Sequence, residues 1–312
     1  MKSFLSLMVT SILIVGCQKQ FQVELINSTP DEILVNDSTF ISMIVQFDTT
    51  APAQLDTVAK YTFKYDNLKR LTKFEYVSYS NGVINLNDIF RDKYYYFYNG
   101  SDTLPFKQID SIQENQFFSN KIIFHTYQNG KIIKDSVVDL LGIPTPDLVA
   151  KYTYYADRVV DTVTKYPLNV TASPYGGYKV TYRQIQNNNI AFNFDSSYYY
   201  NSFSTPPSYV FDFTLRENLT YDNFKNPFYK FKDFNSYPFQ NFSYFPLFID
   251  GSYLINQSKN NPRTYQKIQG SNLNTINFNY EYNSNGYPKI VRIRDEFYSP
   301  AYVYKLKYFY TN

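Results

Sequence analysis

Among 312 residues the chain has one histidine and one cysteine. His125 lies in Lys121-Ile-Ile-Phe-His-Thr-Tyr127, in the middle of an alternating run and opposite in phase to Phe124. That position predicts a histidine packed on a pleated sheet rather than a catalytic one. One histidine and one cysteine cannot assemble a nitrogen and sulfur metal site. The same scarcity argues against Ser-His-Asp and Cys-His catalysis. No glycine-rich run is spaced to cradle a phosphate, and no run matches a calcium-binding loop, so neither cofactor nor metal is expected. Glutamate is rare, and the aspartates read mainly as turn residues. A glycosidase-type carboxylate pair is drawn from distant positions, so a hydrolase with dispersed carboxylates stays as the alternative to a non-catalytic protein.

The elements that carry these residues are strands. Aromatic residues make up 20% of the chain, with 34 Tyr, 28 Phe and no Trp, and tyrosine suits a half-buried pleated surface. Five of the 10 glycines follow Asn or Asp, at Asn81-Gly82, Asn99-Gly100, Asn129-Gly130, Asp250-Gly251 and Asn285-Gly286. Such dipeptides favour tight hairpin turns. The net charge of +3 does not build the basic face that phosphate neutralisation needs, so no nucleic-acid partner is expected.

The organising unit is Tyr61-Thr-Phe-Lys-Tyr-Asp-Asn-Leu-Lys-Arg-Leu-Thr-Lys-Phe-Glu-Tyr76, an alternating aromatic strand, a polar turn and a returning strand. Looser copies follow. Phe117–Tyr127 and Lys131–Val138 flank Asn129-Gly130. Ala150–Tyr155 and Val159–Lys165 flank Ala156-Asp157-Arg158. Tyr178–Gln186 and Ile190–Tyr200 flank Asn187-Asn-Asn189, and Phe278–Tyr282 and Pro288–Arg294 surround Asn283-Ser-Asn-Gly286. Thr39–Phe47, Ile89–Tyr98, Phe106–Ile112, Tyr209–Leu215 and Ala301–Tyr310 add further strands. In Phe106–Ile112 one face carries Phe106, Gln108, Asp110 and Ile112, and the other carries Lys107, Ile109 and Ser111. The irregular spacing predicts an all-β antiparallel meander, coiled or half-barrel, because so many strands rarely stay open and flat. The pattern lapses from Tyr221 to Tyr253, where Asn226-Pro227 suits a helix cap followed by Pro. One or two short helical turns are expected near 226–250. The aromatic residues Phe228, Tyr229, Phe231, Phe245 and Tyr253 are candidates for a plug or a ligand-contacting cover on the concave face.

Met1–Cys17 reads as a secretory signal, with Lys2, an apolar run over Phe4–Val15, and then Gly16. That run is too short to span a bilayer. Ile14-Val15-Gly16-Cys17 resembles the lipobox of bacterial lipoproteins. The resemblance implies cleavage before Cys17 and acylation of Cys17. The stretch that follows, to residue 38, has no sustained period and predicts a tether over 17–38 with one short strand near Phe21–Leu25, ahead of a single β domain over 39–312. Gln18 in place of Asp implies the outer membrane, by resemblance to Gram-negative sorting.

Tyr65-Asp66-Asn-Leu-Lys-Arg70-Leu71 resembles the YD (Rhs-type) repeat, with Lys69 where the repeat has Gly. Tyr282-Asn-Ser-Asn-Gly-Tyr-Pro-Lys-Ile290 is similar, with Asn283 for the Asp and Tyr287 for the Arg. A group of Bacteroidota lipoproteins is similar over most of the mature chain, through Cys17, Tyr61–Tyr79, Asn226-Pro-Phe228 and Asn285-Gly-Tyr-Pro288. It implies a fold and a location but no activity. Asp37-Ser, Asp48-Thr, Asp56-Thr, Asp102-Thr, Asp110-Ser, Asp135-Ser and Asp161-Thr also look like the O-glycosylation acceptor of that phylum, whereas Asp195-Ser196-Ser197 departs from it. The alternative is that these pairs simply begin strands after turns. The expectation is a membrane-anchored envelope lipoprotein acting as a binding or structural module, with a glycan, a peptide or a lipid as the ligand classes. The aromatics serve either as cross-strand ladders or as a ligand surface.

Overall fold

A computed structural model describes residues 39–49, 57–79, 90–114, 117–139, 148–165, 177–201, 208–232, 257–296 and 302–311. The described residues form sixteen antiparallel strands in one closed barrel, with every strand hydrogen-bonded to its neighbours in chain order. They are β1 (Phe40–Asp48), β2 (Thr57–Tyr65), β3 (Leu71–Ser78), β4 (Phe90–Phe97), β5 (Lys107–Glu114), β6 (Phe117–Gln128), β7 (Lys131–Asp139) and β8 (Leu148–Tyr154). There follow β9 (Arg158–Lys165), β10 (Gly177–Gln186), β11 (Asn189–Asn201), β12 (Ser208–Lys225), β13 (Asn260–Gln269), β14 (Asn272–Tyr282), β15 (Pro288–Asp295) and β16 (Tyr302–Thr311). The coiled or half-barrel expectation is corrected to full closure. β1 pairs with β16 from Phe40↔Thr311 to Asp48↔Tyr304, which removes the two sheet edges that an open meander would expose.

The hairpin units fold as their sequences suggest. Asn129 and Gly130 both take positive φ, 51° and 73°, as a two-residue turn with matching twist requires. Asn187 and Asn188 do the same at 52° and 61° without a glycine. The two YD-like turns share one geometry. Asp66 accepts from the Leu68 and Arg70 amides, each at 2.9 Å, and Asn283 accepts from Asn285 and Tyr287, each at 3.0 Å. Lys69 and Gly286 occupy the same left-handed position, at φ 63° and 79°. Arg70 extends its turn to the next hairpin. Its guanidinium holds Asp66 at 2.7 Å, donates to the Gly100 and Asp102 carbonyls at 2.7 and 2.8 Å, and lies 4.5 Å from the Tyr98 ring centre.

Tyrosines close the gaps between these turns. Strand pairs joined at one end of the barrel are unconnected at the other, here called the turn end, where the tight hairpins lie. There Tyr65 donates to the Ile41 carbonyl at 2.7 Å, Tyr98 to Leu71 at 2.8 Å and Tyr127 to Pro105 at 2.9 Å. Tyr221 donates to Ile190 and Tyr310 to Pro288, each at 2.7 Å. Each bond ties the last turn of an even-numbered strand to the start of the strand before it. The Tyr-Asp pair at 65–66 therefore divides its work between a latch and a turn.

β12 runs past the expected end at Leu215 to Lys225, with register irregularities at Thr220/Tyr221 and Tyr221/Lys225. The β13–β14 hairpin over 260–282 starts well before the expected strand at Phe278. One short 3-10 helix, Pro227–Phe231, follows β12, capped by the Asn226 side chain, which accepts from the Phe228 amide at 3.0 Å. The Asn81-Gly82 and Asp250-Gly251 turns, the strand near Phe21–Leu25, and Cys17 lie outside the described residues.

Candidate functional site

Strand alternation gives the barrel one face towards the lumen and one towards its surroundings. The lumenal face divides into two sectors. Over β1–β3 and β13–β16 it is apolar. Tyr61, Phe63, Phe74, Tyr76, Tyr265, Ile276, Phe278, Val291, Ile293 and Leu306 are all buried. Their rings pack across strands, with Tyr61–Tyr76 and Phe63–Phe74 tilted at centroid distances of 5.1 Å and Phe74–Tyr94 stacked at 5.4 Å. The Pro227–Phe231 turn fills this side. Phe228 and Phe231 each lie 6.3 Å from Phe63, and Phe228 lies 6.4 Å from Tyr308. Lys230 reaches the Thr39 carbonyl, and its ammonium sits 4.2 Å from the Phe40 ring centre. Phe228, Tyr229 and Phe231 are thus buried, and Phe228 and Phe231 wedge into the aromatic sector. Phe245 and Tyr253 lie outside the described residues.

Over β4–β12 the same face sets a polar row among buried apolar residues such as Tyr94, Ile123, Val137, Val163 and Leu219. Asp92, Gln108, Asp110, His125, Asp135, Asp161, Thr181, Arg183, Asn193, Asp195 and Glu217 are all buried. Register places them side by side. Asp110 faces Lys121, His125 faces Asp135, Tyr152 faces Asp161, Asp161 faces Thr181, Thr181 faces Asp195 and Asn193 faces Glu217. The expectation that aspartates fall mainly at turns is corrected: these five sit mid-strand. In Asp110-Ser111, Asp135-Ser136, Asp161-Thr162 and Asp195-Ser196 the carboxylate points inward and the hydroxyl residue outward. The reading that these Asp-Ser/Thr pairs begin strands after turns fails here for the same reason.

Each carboxylate has a particular setting. Asp135 accepts from the Tyr152 hydroxyl at 2.7 Å, and its other oxygen lies 2.6 Å from His125 Nδ1. Asp161 pairs with Arg183, which also donates to Gln257 at 2.7 Å. Lys179 pairs with Asp195 at 3.0 Å. Asn193 Nδ2 bridges Asp195 at 3.1 Å and Glu217 at 2.6 Å. Burial pushes the Asp110 carboxyl up to about 7, against the opposing pull of the Gln108 amide at 2.7 Å and of Lys121. Burial likewise pushes Asp161 up to about 6, with Arg183 opposing. The Tyr152 hydroxyl is raised well above its ordinary value, first by burial and then by Asp135.

Among the described residues, His125 Nε2, Asp161 Oδ2 and Thr181 Oγ1 are buried and have no hydrogen-bond partner. A buried polar atom left unpaired costs about 1–3 kcal/mol, so these three atoms call for water or a ligand as partner. His125 is therefore not merely packed on a pleat. Asp135 fixes its ring, and its second nitrogen faces the lumen. No group of three or more His, Cys, Asp or Glu suited to a metal ion occurs among the described residues. The sequence signal for this row is phase: Asp110 shares a face with Gln108 and Ile112, and closure decides that this face is the interior one.

The outward face is charged where the lumen is apolar. Lys64, Lys73, Glu75, Glu281, Arg292, Arg294 and Lys307 lie on the outside of β2, β3 and β14–β16. Arg292 pairs with Glu281 at 2.6 Å, both about half exposed.

No family model matches the chain, and no curated protein matches it. Among solved structures, a porin-like protein from Bacteroides uniformis ATCC 8492 is 12% identical, with a TM-score of 0.42, covering 87% of this chain and 96% of its own. A porin-like protein from Bacteroides vulgatus ATCC 8482 is 9% identical, with a TM-score of 0.42, covering 88% of this chain and 99% of its own.

Proposed function

We propose that this protein is a lipid-anchored envelope lipoprotein whose barrel stands in water and binds a small organic cation in the polar sector of its lumen, without catalysis. The observation that carries the binding reading is the set of unmet buried atoms, His125 Nε2, Asp161 Oδ2 and Thr181 Oγ1, within a row of six buried carboxyl groups. An amine-bearing solute supplies donors to these three atoms and adds positive charge to a row in which six carboxyl groups face Lys121, Lys179 and Arg183. Asp135 and Arg183 hold His125 and Asp161 in place for it.

The outer wall supports the aqueous placement. A Lys or Arg facing lipid at mid-membrane costs about 2–4 kcal/mol, and β2, β3, β15 and β16 carry several. Anchoring rests instead on Cys17, where two or three acyl chains at about 0.8 kcal/mol per buried methylene hold a protein on a membrane. Metabolic acyl labelling tests that part, with label on the wild type and none on Cys17→Ala.

For binding, the thermal midpoint of unlipidated Cys17→Ala protein is measured with putrescine and with glucosamine. A ligand that binds only the folded chain raises it. The expected shift grows from about pH 5 to about pH 8, because Asp161 and Asp110 ionise on the way up. No shift with either amine at any pH contradicts the cation reading, and release of a product reassigns the protein as a hydrolase.

A further inference from the structure

We infer that the turn end of the barrel is a docking surface for an anionic phospholipid membrane, so that the barrel rests on the bilayer by this rim instead of swinging freely on its tether. The inference rests on the lipid-anchored reading only for the tether. The rim itself stands on separate observations.

The first is a concentration of large exposed apolar side chains. Among the described residues, Phe194, Phe211 and Leu273 are scattered elsewhere on the barrel, whereas Leu68, Phe97, Phe106, Phe124 and Phe224 lie at or near the turn end. Three of them are contiguous. Phe97 pairs with Lys107, Lys107 pairs with Phe124, and the His125 amide donates to the Phe106 carbonyl at 3.0 Å. The Lys107 ammonium lies 4.4 Å from the Phe97 ring centre and 5.8 Å from that of Phe106. An aromatic cluster around a lysine fits a headgroup layer, where rings sit at the interface and the charge meets phosphate.

Charge is the second observation. Near the turn end, Lys64, Lys69, Lys107, Lys131, Lys225 and Lys289 flank the hairpins. The opposite end is mixed, with Asp48, Glu114, Asp139, Asp295 and Glu296 beside Arg91, Lys165 and Arg294. The turn end, even with Asp66, Asp102 and Asp157 in its hairpins, is the more basic of the two and matches an anionic surface.

The third is where the chain leaves the fold. β1 starts at Phe40 in the turn end, and Thr39 is held there by Lys230. The described chain therefore begins, at Thr39, on the same rim that carries the aromatics and lysines.

The test uses unlipidated, full-length Cys17→Ala protein in sedimentation with vesicles of phosphatidylcholine, with and without phosphatidylglycerol. Binding is expected on the anionic vesicles alone and is expected to fall as salt rises. Lys107→Glu should lower partitioning by about fivefold or more, since each basic residue near such a surface is worth about 1 kcal/mol. Phe106→Ser/Phe124→Ser should also weaken it. Leu273→Ser, at an exposed site on the opposite end, should leave it unchanged. Thermal midpoints of the variants confirm folding. A folded Cys17→Ala protein that ignores anionic vesicles overturns the inference, as does equal weakening by Leu273→Ser. Absence of acyl label on the wild type overturns the anchor alone and leaves the vesicle result to stand or fall by itself.

Discussion

The two halves of the lumen solve the same packing problem in opposite ways. A sixteen-stranded barrel encloses more space than its own inward side chains readily fill. On the β13–β3 side the chain supplies the filling, because Phe228 and Phe231 enter from the Pro227–Phe231 turn and meet Phe63 and Tyr308. On the β4–β12 side the lining includes carboxylate, amide, imidazole and guanidinium, and three buried atoms have no partner among the described residues. The outer wall is charged where the lumen is most apolar. The proposed binding side is the one where polar groups are set among the apolar ones.

The largest effects should come from breaking either half at its centre. Phe74→Ala removes a ring that touches Tyr61, Phe63 and Tyr94. It should cost about 3–5 kcal/mol in urea unfolding. Arg183→Ala strands the buried Asp161 and should cost about as much. The double variant Arg183→Met/Asp161→Leu should recover most of that loss, whereas no second substitution among polar groups should rescue Phe74→Ala.

pH separates the halves next. Asp110 and Asp161 have folded values above their ordinary one, so the fold holds their protons more tightly than the unfolded chain does. Their stabilising contribution is complete below about pH 4 and is lost as pH rises through about 6 and then about 7. Between those limits each group should lower stability by up to about 1.4 kcal/mol per pH unit, and Asp110→Asn should flatten the upper part of the slope. Substitutions in the aromatic sector should leave the slope alone. The smallest effect belongs to the latches. Tyr65→Phe removes the hydroxyl bond to Ile41 and should cost about 1 kcal/mol, read as a lowered urea midpoint with an unchanged slope.

What the sequence discloses is local. The Tyr65–Arg70 unit, the Asn129-Gly130 turn and the Asn226-Pro227 cap are legible because each is set by residues a few positions apart. Closure is not, because Phe40 meets Thr311 only across the whole chain, and no short pattern encodes that pairing. The β13–β14 hairpin escapes because Asn260-Asn-Pro-Arg-Thr lacks the aromatic alternation of the other strands. The candidate site escapes for a linked reason. Asp110, Asp135 and Asp161 each precede a hydroxyl residue, which reads as turn or modification chemistry until closure makes one face interior. The lone histidine carries no spacing signal at all, and its partner Asp135 becomes visible only through strand register.

The central claim is that the barrel stands in water and that its lumen, not its wall, is the working surface. The most direct measurement is light scattering with thermal unfolding of Cys17→Ala protein in detergent-free buffer. The account predicts a monodisperse particle of the single chain's mass with one cooperative, β-rich unfolding transition. A chain that aggregates without detergent and folds only when detergent or lipid covers its outer wall would contradict it.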